Sequence, residues 1–299
     1  MKQLLFFVSL TISSFAFGQF NTPRVSPPCT VRQEAGFTTI EVYYERPAAR
    51  GRTEEEIFGK LVPWGKVWRT GAGPATLITF STAVWIDNTE VPARTYALFT
   101  IPGIEEWTVM LNRDTAAYAF GHYDPANDAV RFTVKPARCE RYHESVTIDI
   151  DFVPNNARIY ISWLNTQISF DVNTGTDEAV MKYIREQLLA NKSTMADDYD
   201  KAVEYYRWNN LDLDQAMKLV ARGIELHNSR YWYYHKIRIL QKQGKYTEAI
   251  AAARDGIRFL ETAPEEPGLE KKYLIRDLEE MIKEIRQSET DSGRKKSPQ

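Results

Sequence analysis

The chain has 299 residues, with 38 Lys plus Arg against 40 Asp plus Glu, a net charge of −2 and 43% hydrophobic residues. Neither half carries the basic excess that phosphate backbones demand, which excludes nucleic acid as a natural partner. The two cysteines lack the spacing of a zinc site, and no apolar run reaches the ~18 to 20 residues of a membrane-spanning helix.

Met1 and Lys2 precede the apolar run LLFFVSL, and SSFAFGQ follows with Ala16 and Gly18 ahead of Gln19. A short positive start, an apolar stretch too short to span a bilayer and small residues at a cleavage point predict a signal peptide, 1–18, cut after Gly18. The mature chain is expected to be secreted or periplasmic. The roughly 280 residues that remain exceed the usual size of one core, so two domains are expected. Composition shifts near position 175: residues 19–175 hold 12 Arg and 3 Lys against 18 acids, and residues 176–299 hold 22 bases against 22 acids.

Residues 38–173 alternate with period two. In TIEVYYE, Ile40, Val42 and Tyr44 oppose Glu41, Tyr43 and Glu45, giving one buried and one wet face. AVRFTVK repeats the pattern with Val130, Phe132 and Val134 inward, and SVTIDIDF, RIYISW and QISFDV follow. Turn signals separate them at Asp87-Asn88, Ile101-Pro102-Gly103, Asp124 to Asn127 and Pro154 to Asn156. Nine or ten short strands without crossover helices predict, for residues 19–175, an all-β antiparallel sandwich, jelly-roll-like, and exclude a parallel sheet. Cys29 and Cys139 lie within it and either close one long loop or remain free thiols.

Arg46 to Gly73 breaks the rhythm, and ordered segments of that length are often functional. Ile57, Phe58, Leu61 and Val62 are its expected anchor in the core, and Glu54, Glu55 and Glu56 form a solvated face or open a short helix. Arg46, Arg50, Arg52 and Arg69 share the segment with Trp64 and Trp68, and Gly65, Gly71 and Gly73 permit tight turns or close approach. Guanidinium binds carboxylates in planar, two-pronged fashion and stacks on rings. These six side chains are therefore candidates for gripping an anionic or sugar-like ligand. The competing reading makes Arg69 an internal staple, paired with Glu45 or one of Glu54 to Glu56.

The strings PRVSPPCTVRQ, IEVYYERPAARGR, IFGKLVPWGKVWRTGAGPATLITFS, YALFTIPG and WTVMLN resemble the DUF2911 family of secreted Bacteroidota proteins, over about Pro23 to Val172. The resemblance implies boundaries and a compartment, and no activity.

After Gly175 the period becomes helical. Ala216, Met217, Gly223 and Ile224 recur as Ala249, Ile250, Gly256 and Ile257, offset by 33 residues, and QGKYTEAIAAARDGI resembles the second half of a tetratricopeptide unit. Leu211 and Leu213 stand where the first copy would have glycine and tyrosine. Helices are predicted at 177–191, 196–208, 213–227, 230–243, 246–261 and 269–287, forming an all-α helix-hairpin domain at 176–287 with a mobile tail at 288–299. Arg230, Trp232, Tyr233 and Lys236 are candidates for binding a protein partner, although packing between helices is the commoner role for rings such as Trp232 and Tyr233.

No nucleophile elbow, zincin or phosphate-loop motif is present. His122 with Asp124 and His143 with Glu144 are isolated pairs, and Asp149 and Asp151 face the wet side of a strand, so neither metal nor cofactor is expected. The sequence supports a binding or scaffold protein whose helical half docks a protein, with an extracellular glycan or ester hydrolase walled by the 46–73 loop as the alternative.

Overall fold

The computed structural model describes residues 22–116, 123–264 and 270–295. The expected signal peptide and His122 lie outside the described residues. The chain divides into two compact units, Met1–Asp177 and Glu178–Gln299.

The first unit is an antiparallel β domain. A six-stranded sheet runs in the order β1 (Pro28–Ala35), β2 (Thr38–Glu45), β3 (Ala72–Phe80), β6 (Thr95–Ile101), β7 (Trp107–Asn112), β8 (Asp128–Val134). It is a meander once the small hairpin β4 (Val84–Ile86) and β5 (Thr89–Val91) is set aside. Asp87 and Asn88 join that hairpin with φ of 48° and 61°, as a two-residue primed turn requires. Gly36, φ 54°, turns β1 into β2, and a Cβ there would fall 2.0 Å from the Thr176 hydroxyl oxygen.

β9 (Ala137–Val153) and β10 (Asn156–Val172) form the second layer. Arg158 Nε donates to Asp171 Oδ1 at 2.6 Å and Gln167 Nε2 to Ser162 Oγ at 2.8 Å. A fully extended run would hold Arg158 and Asp171 about 40 Å apart. The chain therefore doubles back within β10, at Leu164, whose φ is +55°. RIYISW and QISFDV are its two arms. Period-two alternation carries through to packing: Ile40, Val42, Tyr44 and Ile78 from the large sheet share one core with Ile148, Ile159 and Phe170. Tyr44 lies deep enough that its hydroxyl exchanges hydrogen bonds with the Ile148 backbone, and burial pushes its pKa up to about 12.

Both cysteines are free. Cys29 pairs across from Tyr44, at the Ile148 end of β9, whereas Cys139 sits at the strand's other end, where Asn165 donates to its carbonyl. A disulfide needs Cα atoms within about 7 Å, and this placement leaves the long loop open.

The second unit is helical, as the change of period predicts. α2 (Thr176–Tyr183) continues into a π-helical turn, Ile184–Leu188. α3 (Ala196–Trp208), α4 (Leu213–Leu226), α5 (Arg230–Lys242), α6 (Tyr246–Thr262) and α7 (Lys271–Lys295) follow. The 33-residue repeat has a steric cause. A Cβ on Gly223 would fall 2.3 Å from the Trp232 ring, and one on Gly256 would meet Tyr233 and Leu278 at 3.1 and 3.2 Å. Glycine lets these helices approach. α7 overruns its predicted end: residues 288–295, expected to be a mobile tail, are helical. Ser288 and Thr290 hydroxyls donate back to carbonyls four residues earlier, and Gln287 bonds Asp291. Polar residues with adequate helix propensity prolong a helix without any apolar anchor.

Candidate functional site

The irregular segment is ordered from its own sequence. Arg52 donates to the Ala49 carbonyl at 3.0 Å, and Thr53 then caps the four-residue helix α1 (Glu54–Ile57) through a reciprocal box with Glu56. The Thr53 N–H bonded to the Glu56 carboxylate holds that group below its usual pKa. Ile57, Phe58 and Val62 anchor the loop in the core, but Leu61 is half exposed. Val62 N–H reaches the Ile57 carbonyl at 2.8 Å, and Gly59 N–H returns to the Val62 carbonyl at 2.8 Å.

This tight turn places Trp64 flat against Phe58, ring centroids 5.8 Å apart. Phe58 touches Trp107 and Trp163 edge-on at 5.3 and 6.0 Å, and Trp68 stacks on Trp163 at 5.9 Å. The result is a continuous aromatic column from the core to the surface. Trp68 is its buried end, 5% exposed, with its indole N–H on the Gly71 carbonyl; Trp64 is its outer end, 40% exposed.

Trp64 faces a cleft of about 660 Å³. Trp107 and the exposed Ile104 form an apolar wall with it. Glu54, Glu55, Asn165 and Thr166 supply hydrogen-bonding groups, and Lys60 and Arg138 supply two positive charges against the two carboxylates. Glu54 is fixed by the Thr166 hydroxyl and by Arg138, 4.0 Å away. The cleft is thus an aromatic platform edged by paired charges and amides, with no net charge.

Of the six ligand candidates, only Trp64 lines this cleft. Arg46 donates from Nε to the Val146 carbonyl and from Nη2 to the Thr147 hydroxyl, both at 2.9 Å, and so fastens the loop's entrance to β9. Arg50 reaches the Val25 carbonyl at 3.2 Å. Arg69 is half-buried, and its carbonyl accepts from Thr76 N–H. Gly71 and Gly73 admit the chain's own β2 rather than a guest: a Cβ on Gly73, φ 59°, would fall 2.2 Å from the Glu45 carboxylate, and one on Gly71 would fall 3.0 Å from the Glu45 carbonyl.

The described members of the isolated pairs have structural partners. Glu144 accepts from the Arg50 N–H and the Tyr142 hydroxyl, and burial, then Arg141 and Arg46, lower the His143 pKa. Asp124 caps the short turn at Pro125–Asn127 through the Ala126 N–H. Asp149 and Asp151 are exposed. Among the described residues no three His, Cys, Asp or Glu side chains are grouped to hold a metal ion.

The helical domain has a groove of its own, about 410 Å³, lined from α3, α5, α6 and α7. Leu260, Leu274, Leu278 and Met281 form an apolar floor, Tyr231 and Tyr234 an exposed rim, and Asp200, Glu204 and Asp277 an acidic edge. Of the four partner candidates, Arg230 lines this groove, stacked 4.4 Å over the Tyr231 ring. Trp232 is buried with its N–H on the His227 carbonyl, and Tyr233 packs on Phe259 at 5.3 Å, so both serve as core. Lys236 is half-buried outside the groove.

Sequence reasoning missed Asn165, Thr166, Arg138 and Ile104 in the cleft. The signal for the first two was the polar break in SWLNTQIS between two alternating runs, which marks a turn. Arg138 and Ile104 had no local signal, because they meet the loop only through the tertiary fold.

A family model described as "Protein of unknown function (DUF2911)" matches residues 26–172. No curated protein matches the chain.

Proposed function

From a β domain that belongs to the DUF2911 family, we propose a secreted or periplasmic binding protein whose cleft holds a neutral, sugar-like ligand, while its helical domain docks a protein partner. The observation that carries this reading is Trp64, stacked on Phe58 and open to a cleft rimmed by hydrogen-bonding groups. Sugars present C–H faces to aromatic platforms and hydroxyls to carboxylates and amides, and pockets of this kind combine apolar walls with a few placed polar groups. Balanced charge around the cleft favours a neutral ligand over an anion. The signal-like N-terminus supports the compartment, and among the described residues no helix is long and apolar enough to cross a membrane.

Hydrolysis finds less support. Glycoside cleavage needs two carboxylates facing each other across the scissile bond, whereas Glu54 and Glu55 are consecutive on α1, where neighbouring side chains diverge.

Calorimetric titration with neutral cello-, chito- and laminari-oligosaccharides, and with sulfated disaccharides, tests the reading. A neutral sugar should bind, and Trp64→Ala should weaken it at least about tenfold, or ~1.4 kcal/mol, with an unchanged circular dichroism spectrum. Binding of none of the neutral sugars, or equal binding by Trp64→Ala, overturns it.

A further inference from the structure

The groove of the helical domain has an apolar bottom and an edge carrying three carboxylates against one arginine, Arg230, and the two features select a partner. Three carboxylates, Asp200, Glu204 and Asp277, stand around it. Asp200 accepts from His235 Nε2 at 2.7 Å. Arg207 Nη1 lies 3.0 Å from Nδ1 of the same ring. Because arginine only donates, Nδ1 must be the bare nitrogen and Nε2 must carry the hydrogen. His235 is consequently a neutral strut that spends no positive charge on Asp200, and burial lowers its pKa further.

The nearby arginines are held by neutral groups, and of them only Arg230 lines the groove. Arg230 stacks on Tyr231, Arg207 is held by His235, and Arg238 bonds Gln241 and lies 5.2 Å over Tyr234. Glu204 and Asp277 have no ion-pair partner among the described residues. They come from two different helices, α3 and α7, that line the groove together with a floor made by Leu260, Leu278 and Met281.

We propose that this groove docks a basic peptide segment of a partner protein, seating apolar side chains on the floor and lysine or arginine against Glu204 and Asp277. The inference rests on the partner-docking part of the function above and names the chemistry of that partner. Apolar burial supplies affinity, and the carboxylates supply orientation and choice of partner. An acidic peptide would bring like charge to these carboxylates and be rejected.

Fluorescence anisotropy with three labelled decapeptides tests it: one carrying leucines and lysines, one with glutamate for each lysine, and one with serine for each leucine. The leucine–lysine probe should bind, and each counterpart should bind at least about tenfold more weakly. The double reversal Glu204→Lys, Asp277→Lys should lose at least about tenfold, while Glu279→Lys, Glu284→Lys, equal in net charge change on exposed positions of α7, should stay within about threefold. Failure of the leucine–lysine probe to bind, or equal loss in the two double variants, overturns the proposal. Trp64→Ala should bind the peptide normally. A failed sugar titration with intact peptide binding therefore removes the β-domain reading alone, and the reverse result removes only the peptide.

Discussion

Gly59 and Trp64 fit together as seat and occupant: a Cβ on Gly59 would fall 2.7 Å from the Trp64 indole nitrogen, and the glycine's φ of +106° lies where L side chains are strained. Gly59→Ala should therefore displace the ring from Phe58 and cost about 1–3 kcal/mol in overpacking and strain. Intrinsic fluorescence should move with the displaced indole, and sugar affinity should fall with it. Wild-type affinity in Gly59→Ala would separate the glycine from the platform.

Arg46 bonds β9 twice through a charged group, and such bonds are worth about 1.5–3 kcal/mol each. Arg46→Ala should destabilise the β domain by roughly that amount in urea unfolding. Sugar affinity should be little changed, because Arg46 does not line the cleft. A loss of binding without loss of stability would restore Arg46 as a ligand residue.

The cysteines give a redox prediction. Thiol-specific labelling after unfolding should find both Cys29 and Cys139 reduced, and a reductant should not lower the melting temperature. A bridge closing that loop would instead add about 4–5 kcal/mol. A drop of several degrees on reduction would show that the protein closes it.

His235 links stability to pH. Its ordinary value is 6.5, and burial lowers it in the folded state. Below about pH 6.5 the unfolded chain therefore binds more protons than the folded one. The contribution is fully present above that pH and is lost as pH falls towards the depressed folded value. The helical domain's melting temperature should fall between about pH 7.5 and about pH 5.5, and His235→Gln should remove most of the slope. An unchanged slope would place the titrating group elsewhere, with the similarly shifted His143 in the β domain the next to vary.

Most of the architecture was legible because it rests on local rules. Alternation at Ile40, Val42 and Tyr44 reports a sheet with one buried face, and the recurrence of Gly223 at Gly256 reports helices that must touch. Neither needs knowledge of distant partners. The site was legible only in part. Trp64 and Trp68 look alike in sequence, yet one ends up on the surface and the other beneath Trp163, a choice made by where β10 doubles back. The arginines were ambiguous for a related reason. A guanidinium in an irregular loop fits ligand or backbone equally well, and Arg46 finds its acceptors on β9, about 100 residues away. The Thr-Gly-Ala-Gly run suggested space for a guest, and that space is filled by Glu45.

The column from Trp68 to Trp64 leaves no insulating layer between the cleft and the interior. A sugar settling on the outermost ring would tighten packing that the whole β domain shares, and because it binds only the folded chain it would raise the unfolding temperature with the logarithm of its excess over Kd. Unlabelled compounds can therefore be screened by heating alone.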